Sequence, residues 1–202
     1  MTLKHKATLT FGACALAWMP VQASFEAVNM PSEAPVRVAG QSLRLNGGGV
    51  SSRLMFRIYA MGLYLPDRRD SMQEIVSRDE PRRLVIRMLR DVDGQTFNDM
   101  LMDYASSRRG EAQPQVLGPM LHLARLIASQ PQGLRNGDVL TFDWVPGTGT
   151  VVELNQKAVT EPLRGVNFYH ALLDIWLGEK PADPGLKTQL LGRGDAVART
   201  YH

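Results

Sequence analysis

The chain is short of the groups that most enzymes use. It has one cysteine in 202 residues, Cys14, and four histidines, His5, His122, His170 and His202. Cys14 falls inside an N-terminal apolar run, so the rest of the chain has no thiol. That excludes a disulfide framework, a cysteine nucleophile and a cysteine metal site. No two histidines stand at metal-ligand spacing, and no cofactor or metal is expected. There is no Gly-x-Ser-x-Gly elbow. The glycine run at residues 47–49 lacks the Gly-Lys-Ser/Thr ending of a phosphate loop. Charge of one sign is also scarce. The 23 Lys and Arg face 20 Asp and Glu without a clustered basic face, so no nucleic-acid partner is expected.

The N-terminal segment has a three-part layout. Lys4 and Lys6 come first, Ala7 to Met19 is free of charge, and Val21-Gln22-Ala23 offers small residues at a cleavable spacing. This is the pattern of a secretory signal peptide. Thirteen uncharged residues fall short of the roughly 20 a membrane span needs. The expectation is a signal over residues 1–23, cleavage after Ala23, a periplasmic location and no membrane span in the processed protein. Removing the first 23 of 202 residues leaves 179, a one-domain length. Two of the basic residues and none of the acids go with the signal, so 21 and 20 remain. An arm over 24–35, a domain over 36–192 and a loose tail over 193–202 complete the expected organisation.

Within the domain, alternation of apolar and polar residues predicts a hairpin over Val36 to Leu45, turning near Gly40-Gln41. Asn46-Gly47-Gly48-Gly49 reads as a turn, with glycines that also permit close backbone approach. Arg53 to Leu65 reads as one long strand, apolar on both faces and therefore central. Arg57 and Tyr59 interrupt it, and at period two they share a face. Arg83 to Leu89 is a second strand. Asp93 caps a helix bearing Phe97, Met100, Leu101 and Tyr104, and another helix follows Pro114. Val139 to Val145 and Thr150 to Leu154 form a meander. Asn167 is expected to cap a helix ending at Gly178, and Asp183-Pro184 opens a last one ending before Gly192. Strands and helices come in blocks, without strand–helix–strand alternation. That order predicts an α+β domain, an antiparallel sheet covered on one face by helices.

Several of these segments together resemble the chalcone isomerase-like family. Leu45-Asn-Gly-Gly-Gly-Val50 leads into Arg53-Leu-Met-Phe-Arg-Ile-Tyr-Ala-Met-Gly-Leu-Tyr-Leu65. Asp91-Val-Asp-Gly-Gln-Thr-Phe97, Asn136-Gly-Asp-Val-Leu140 and the C-terminal stretch with Ile-Trp-Leu-Gly-Glu-Lys-Pro follow in order, over about Val36 to Gly192. The resemblance implies an open-faced β-sandwich, a large antiparallel sheet whose helical layer encloses a cleft. It also implies positions for catalysis, and these are replaced here. The arginine that holds the substrate falls on Ser51, the strand threonine on Tyr59 and the lysine near Met88. The helix-start tyrosine falls on Phe97, and the two pocket-lining residues near Tyr104 and Ile175. Fatty-acid-binding relatives clamp a carboxylate with an arginine and a tyrosine, which here correspond to Ser51 and Phe97.

The reading is therefore a non-catalytic protein binding a small amphipathic molecule, fatty-acid-like or aromatic. Arg57, Tyr59, Arg87, Phe97 and Tyr104 are the candidate ligand-binding residues. An active intramolecular lyase of the chalcone isomerase type and a ligand-free envelope scaffold are the alternatives.

Overall fold

A computed structural model describes residues 35–53, 56–96, 99, 114–130 and 132–193. The elements are β1 (Val36–Val38), β2 (Gln41–Arg53), β3 (Phe56–Leu65), α1 (Met72–Val76), β4 (Arg82–Met88), α2 (Pro114–Ala128), β5 (Val139–Val145), β6 (Gly149–Leu154), β7 (Lys157–Ala158), α3 (Val166–Leu177) and α4 (Pro184–Leu190). The seven strands form one antiparallel sheet in sequential order, β1 to β7. Its terminal strands are very short, three residues in β1 and two in β7.

The sheet has two unequal faces. The helix-covered face carries Met61, Leu63 and Leu65 of β3, Leu84, Ile86 and Met88 of β4, and Leu140, Phe142 and Trp144 of β5. They pack with Phe168, Tyr169, Leu172 and Trp176 of α3 and with Leu123 and Ile127 of α2. The other face holds a smaller cluster of Val38, Leu43, Ala60, Tyr64 and Val85. Tyr64 and Arg83 are neighbours on that face, and Arg83 grips Asp143 through two bonds of 2.7 and 2.6 Å. The α+β architecture expected from the order of elements is the one observed.

Three local readings change. The glycine run lies inside β2, not in a turn. Gly47 pairs with Leu63 and Gly49 with Met61. A Cβ on Gly47 would come within 2.6 Å of the Leu190 carbonyl oxygen, and one on Gly49 within 2.9 Å of Leu186 Cδ1. The run is a bare strip on which α4 rests, so close approach rather than reversal explains it. The long strand read from Arg53 begins instead at Phe56. Arg53 ends β2 and pairs antiparallel with Phe56, and the sequence between the two has no Gly or Pro to part the strands. The helix with Asn167 starts at Val166 behind Gly165, whose φ of +89° makes the entry, and no side chain caps it. One helix went unread. Ser71 Oγ accepts from Glu74 N at 3.3 Å and starts α1, a Ser-x-x-Glu pattern of the capping-box kind.

Other caps agree with the sequence. Asp93 accepts from Thr96 N at 2.9 Å, and Asp183 accepts from Leu186 N at 3.0 Å with Pro184 behind it. The Gly40 turn is also as read: Ala39 and Gly40 both have positive φ, as a tight hairpin turn with the strand's own twist requires.

Candidate functional site

Two irregularities in the β2–β3 ladder shape the helix-covered face. The register slips between Leu45 and Gly47, leaving Asn46 unpaired, and slips again between Ser51 and Ser52, leaving Ile58 unpaired. Asn46 is buried, and its side chain ties three segments. Its Nδ2 donates to the Arg69 carbonyl at 2.9 Å and the Leu190 carbonyl at 2.8 Å, and its Oδ1 accepts from Arg69 N at 2.7 Å. The C-terminal end of α4 is thereby anchored to the sheet.

The second slip decides which residues meet. Ser51 pairs with Tyr59, and Ser52 pairs with Arg57. Cross-strand partners share a face, and Ser51 and Ser52 point to opposite faces. Tyr59 therefore faces the helices, whereas Arg57 faces away from them. A β-bulge adds one residue and reverses the alternation, so the common face expected for Arg57 and Tyr59 is not formed. Arg57 is exposed. Arg87 pairs with Ala60 and Val139, members of the second cluster, and is half-buried on that same outer side. Phe97 and Tyr104 lie outside the described residues.

Tyr59 instead meets Ser51, Trp176 and Asp183. Trp176 Nε1 donates to Tyr59 Oη at 2.9 Å. Ser51 Oγ donates to Asp183 Oδ2 at 2.9 Å. Ser51 and Tyr59 are also hydrogen-bonded. Since the Ser51 proton goes to the carboxylate, Ser51 accepts from the phenol. The result is a one-way relay, indole to phenol to hydroxyl to carboxylate. Asp183 ends it and uses its other oxygen to cap α4. Burial pushes the Tyr59 phenol above its ordinary range, the Asp183 charge adds to this, and the hydrogen bond from Trp176 opposes it only in part. Tyr59 and Trp176 are each 6% exposed, with Met88 and Ile175 buried beside them.

The chemistry open to this arrangement is narrow. Every hydrogen of the relay already points to an acceptor, and the relay ends on an anion. Among the described residues no guanidinium or ammonium joins it. A phenolate or an oxyanion brought to Ser51 would find a like charge, where a catalyst places its largest electrostatic stabiliser. Sequence reasoning placed Tyr59 among the site residues and missed its partners. In the sequence Asp183 signals only a helix cap, and Trp176 gives no polar signal.

The fold and this interior define the class: an antiparallel sheet whose one covered face closes a polar relay within an apolar layer. Residues 22–192 match the chalcone isomerase-like family, and the chain belongs to it. Among solved structures it is similar to a fatty-acid binding protein of Arabidopsis thaliana. The two share 14% identity and a TM-score of 0.54, over 82% of this chain and 99% of the other. At that identity the likeness speaks for the fold. No curated protein sequence matches the chain.

Proposed function

We propose that the protein is a non-catalytic binder of a small amphipathic molecule, held between the sheet and its helical cover and working in the periplasm. The observation that carries this is the Ser51–Asp183 bond. At the place where the family's catalysts hold a cation, this chain has a hydroxyl committed to a carboxylate. An apolar interior with a few convergent polar groups is the ordinary form of a small-molecule site. The Arabidopsis neighbour, by name a fatty-acid binding protein, supports the same broad reading. Ligands with an aromatic body or a long chain suit the apolar lining. The Asp183 charge favours a hydroxyl head, which can donate, over a free carboxylate. The lysines, apolar run and small residues of positions 1–23 support export.

A solid interior is the competing reading, favoured by the near-complete burial of Tyr59 and Trp176. One experiment separates the two. Protein recovered from a periplasmic fraction is weighed intact, then extracted with organic solvent and the extract analysed by mass spectrometry. The binding reading expects a chain processed after Ala23 and a co-purified amphiphile that raises the melting temperature when added back. An empty extract, with no thermal shift from fatty alcohols, fatty acids or flavonoids, leaves the scaffold.

A further inference from the structure

Strands β2 and β3 run past the end of β4. The last β3–β4 pair joins Tyr59 to Met88, whereas β2 and β3 stay paired out to Arg53 and Phe56. This overhang carries Phe56, a large apolar side chain that is 61% exposed. The Arg90 guanidinium lies over its ring, 5.0 Å from the centroid. Arg57 is exposed on the opposite side of the ribbon. Residues 50–60 and 84–90 hold four arginines, Arg53, Arg57, Arg87 and Arg90, and no acid. The next acid along the chain, Asp91, is engaged by Arg135 at 3.1 Å and by the Asn136 amide at 2.8 Å. Among the described residues no acid pairs with Arg57, Arg87 or Arg90, so the overhang presents basic groups beside an exposed aromatic ring. Phe56, one alternation beyond Arg57, returns to the side of the sheet that faces the helices.

An isolated exposed apolar side chain calls for no explanation. A projecting aromatic ring with one arginine over it and a second exposed on the same ribbon is a different case, because the two groups suit the two layers of a lipid surface. The ring enters the headgroup boundary, and the guanidinium groups meet phosphates. A folded protein partner would need about 800 Å² of complementary surface per side, far more than one ring on a narrow ribbon. We infer that this overhang docks the protein on an anionic bilayer, Phe56 inserting while Arg57 and Arg90 engage lipid phosphates. Docking sets the end of the sheet–helix layer against the membrane, and it does not depend on which molecule the interior takes.

The test reads the environment at position 56 itself, so that binding through the N-terminal apolar run is not mistaken for it. The full chain carrying Cys14→Ser and Phe56→Cys is labelled with a polarity-sensitive fluorophore. A second chain carries the label at Thr148→Cys, an exposed turn at the other end of the sheet. With vesicles of phosphatidylcholine and phosphatidylglycerol, the label at 56 shifts to the blue and the label at 148 does not. Pure phosphatidylcholine gives no shift, and added salt reverses the one seen. Arg57→Gln and Arg90→Gln each weaken the vesicle partition of the labelled chain about fivefold. An unshifted label at 56, equal shifts at 56 and 148, or indifference to both glutamine variants overturns the inference.

Discussion

The two ends of the helix-covered face handle buried polar groups in opposite ways. At the Tyr59 end every hydrogen of the relay has an acceptor, and the series ends on Asp183. At the other end the same face carries Arg82, which is 1% exposed. Its Nε donates to the Glu80 carbonyl at 3.1 Å, and one Nη to the Arg78 carbonyl at 2.6 Å. Its other Nη, Thr150 Oγ1 and His170 Nε2 are buried without a hydrogen-bond partner. Arg82, Trp144 and Thr150 form one cross-strand row, and the Arg82 guanidinium lies 5.8 Å from the centre of the Tyr169 ring. Trp144 Nε1 bonds Asp79 at 2.7 Å. The contrast teaches that one sheet face can hold both a closed relay and a cation supported mainly by carbonyls and an aromatic ring. The second arrangement is the costlier, since burial of a charge is repaid only by well-placed partners.

Substitutions at three positions press on that comparison. The largest effect is expected at Arg82. Arg82→Ala strands the Arg78 and Glu80 carbonyls and opens a cavity under Tyr169, at a cost of about 3 kcal/mol in urea unfolding. Arg82→Met keeps the packing and removes the charge, so it should cost clearly less. Equal losses for the two would show that the guanidinium's bonds, not its bulk, hold that end. Next comes Tyr59→Phe, which leaves the Trp176 indole N–H without its acceptor and Ser51 without its donor. The loss should be about 1–2 kcal/mol, measured the same way. A loss as large as that of Arg82→Ala would mean the two ends are equally loaded.

The smallest effect concerns pH. Burial holds the His170 imidazole below its ordinary range, and the Arg82 charge adds to this, with Asp79 opposing. The unfolded chain takes up a proton near the usual value of 6.5, and the folded chain only at lower pH. Stability should therefore be level above that value and decline as pH falls below it. His170→Gln should flatten that part of the profile, as followed by melting temperature against pH. A decline unchanged by the substitution would assign it to other groups.

Much of the fold was legible in the sequence because it rests on periodicity and on end signals. The meander of β5 and β6, the Asp93 and Asp183 caps and the Gly178 stop each depend on residues close in the chain. Where reading failed, a distant contact decided. Gly47 to Gly49 resemble a turn until α4 is known to rest on them. Arg57 and Tyr59 resemble neighbours on one face until the bulge at Ile58 separates them. Of the candidate site, Tyr59 could be picked out as a polar residue on an apolar strand. Ser51 and Asp183 are 132 residues apart, and no local pattern joins them.

The sequence by itself determined the block order of strands and helices and most of the signals that open and close them. These follow from composition and local spacing, which need no partner to be read. Only the tertiary structure decided what Ser51 meets. Bringing α4 onto the glycine strip sets Asp183 against Ser51, and a hydrogen bond between such distant residues exists only once the backbone has been brought to within contact distance.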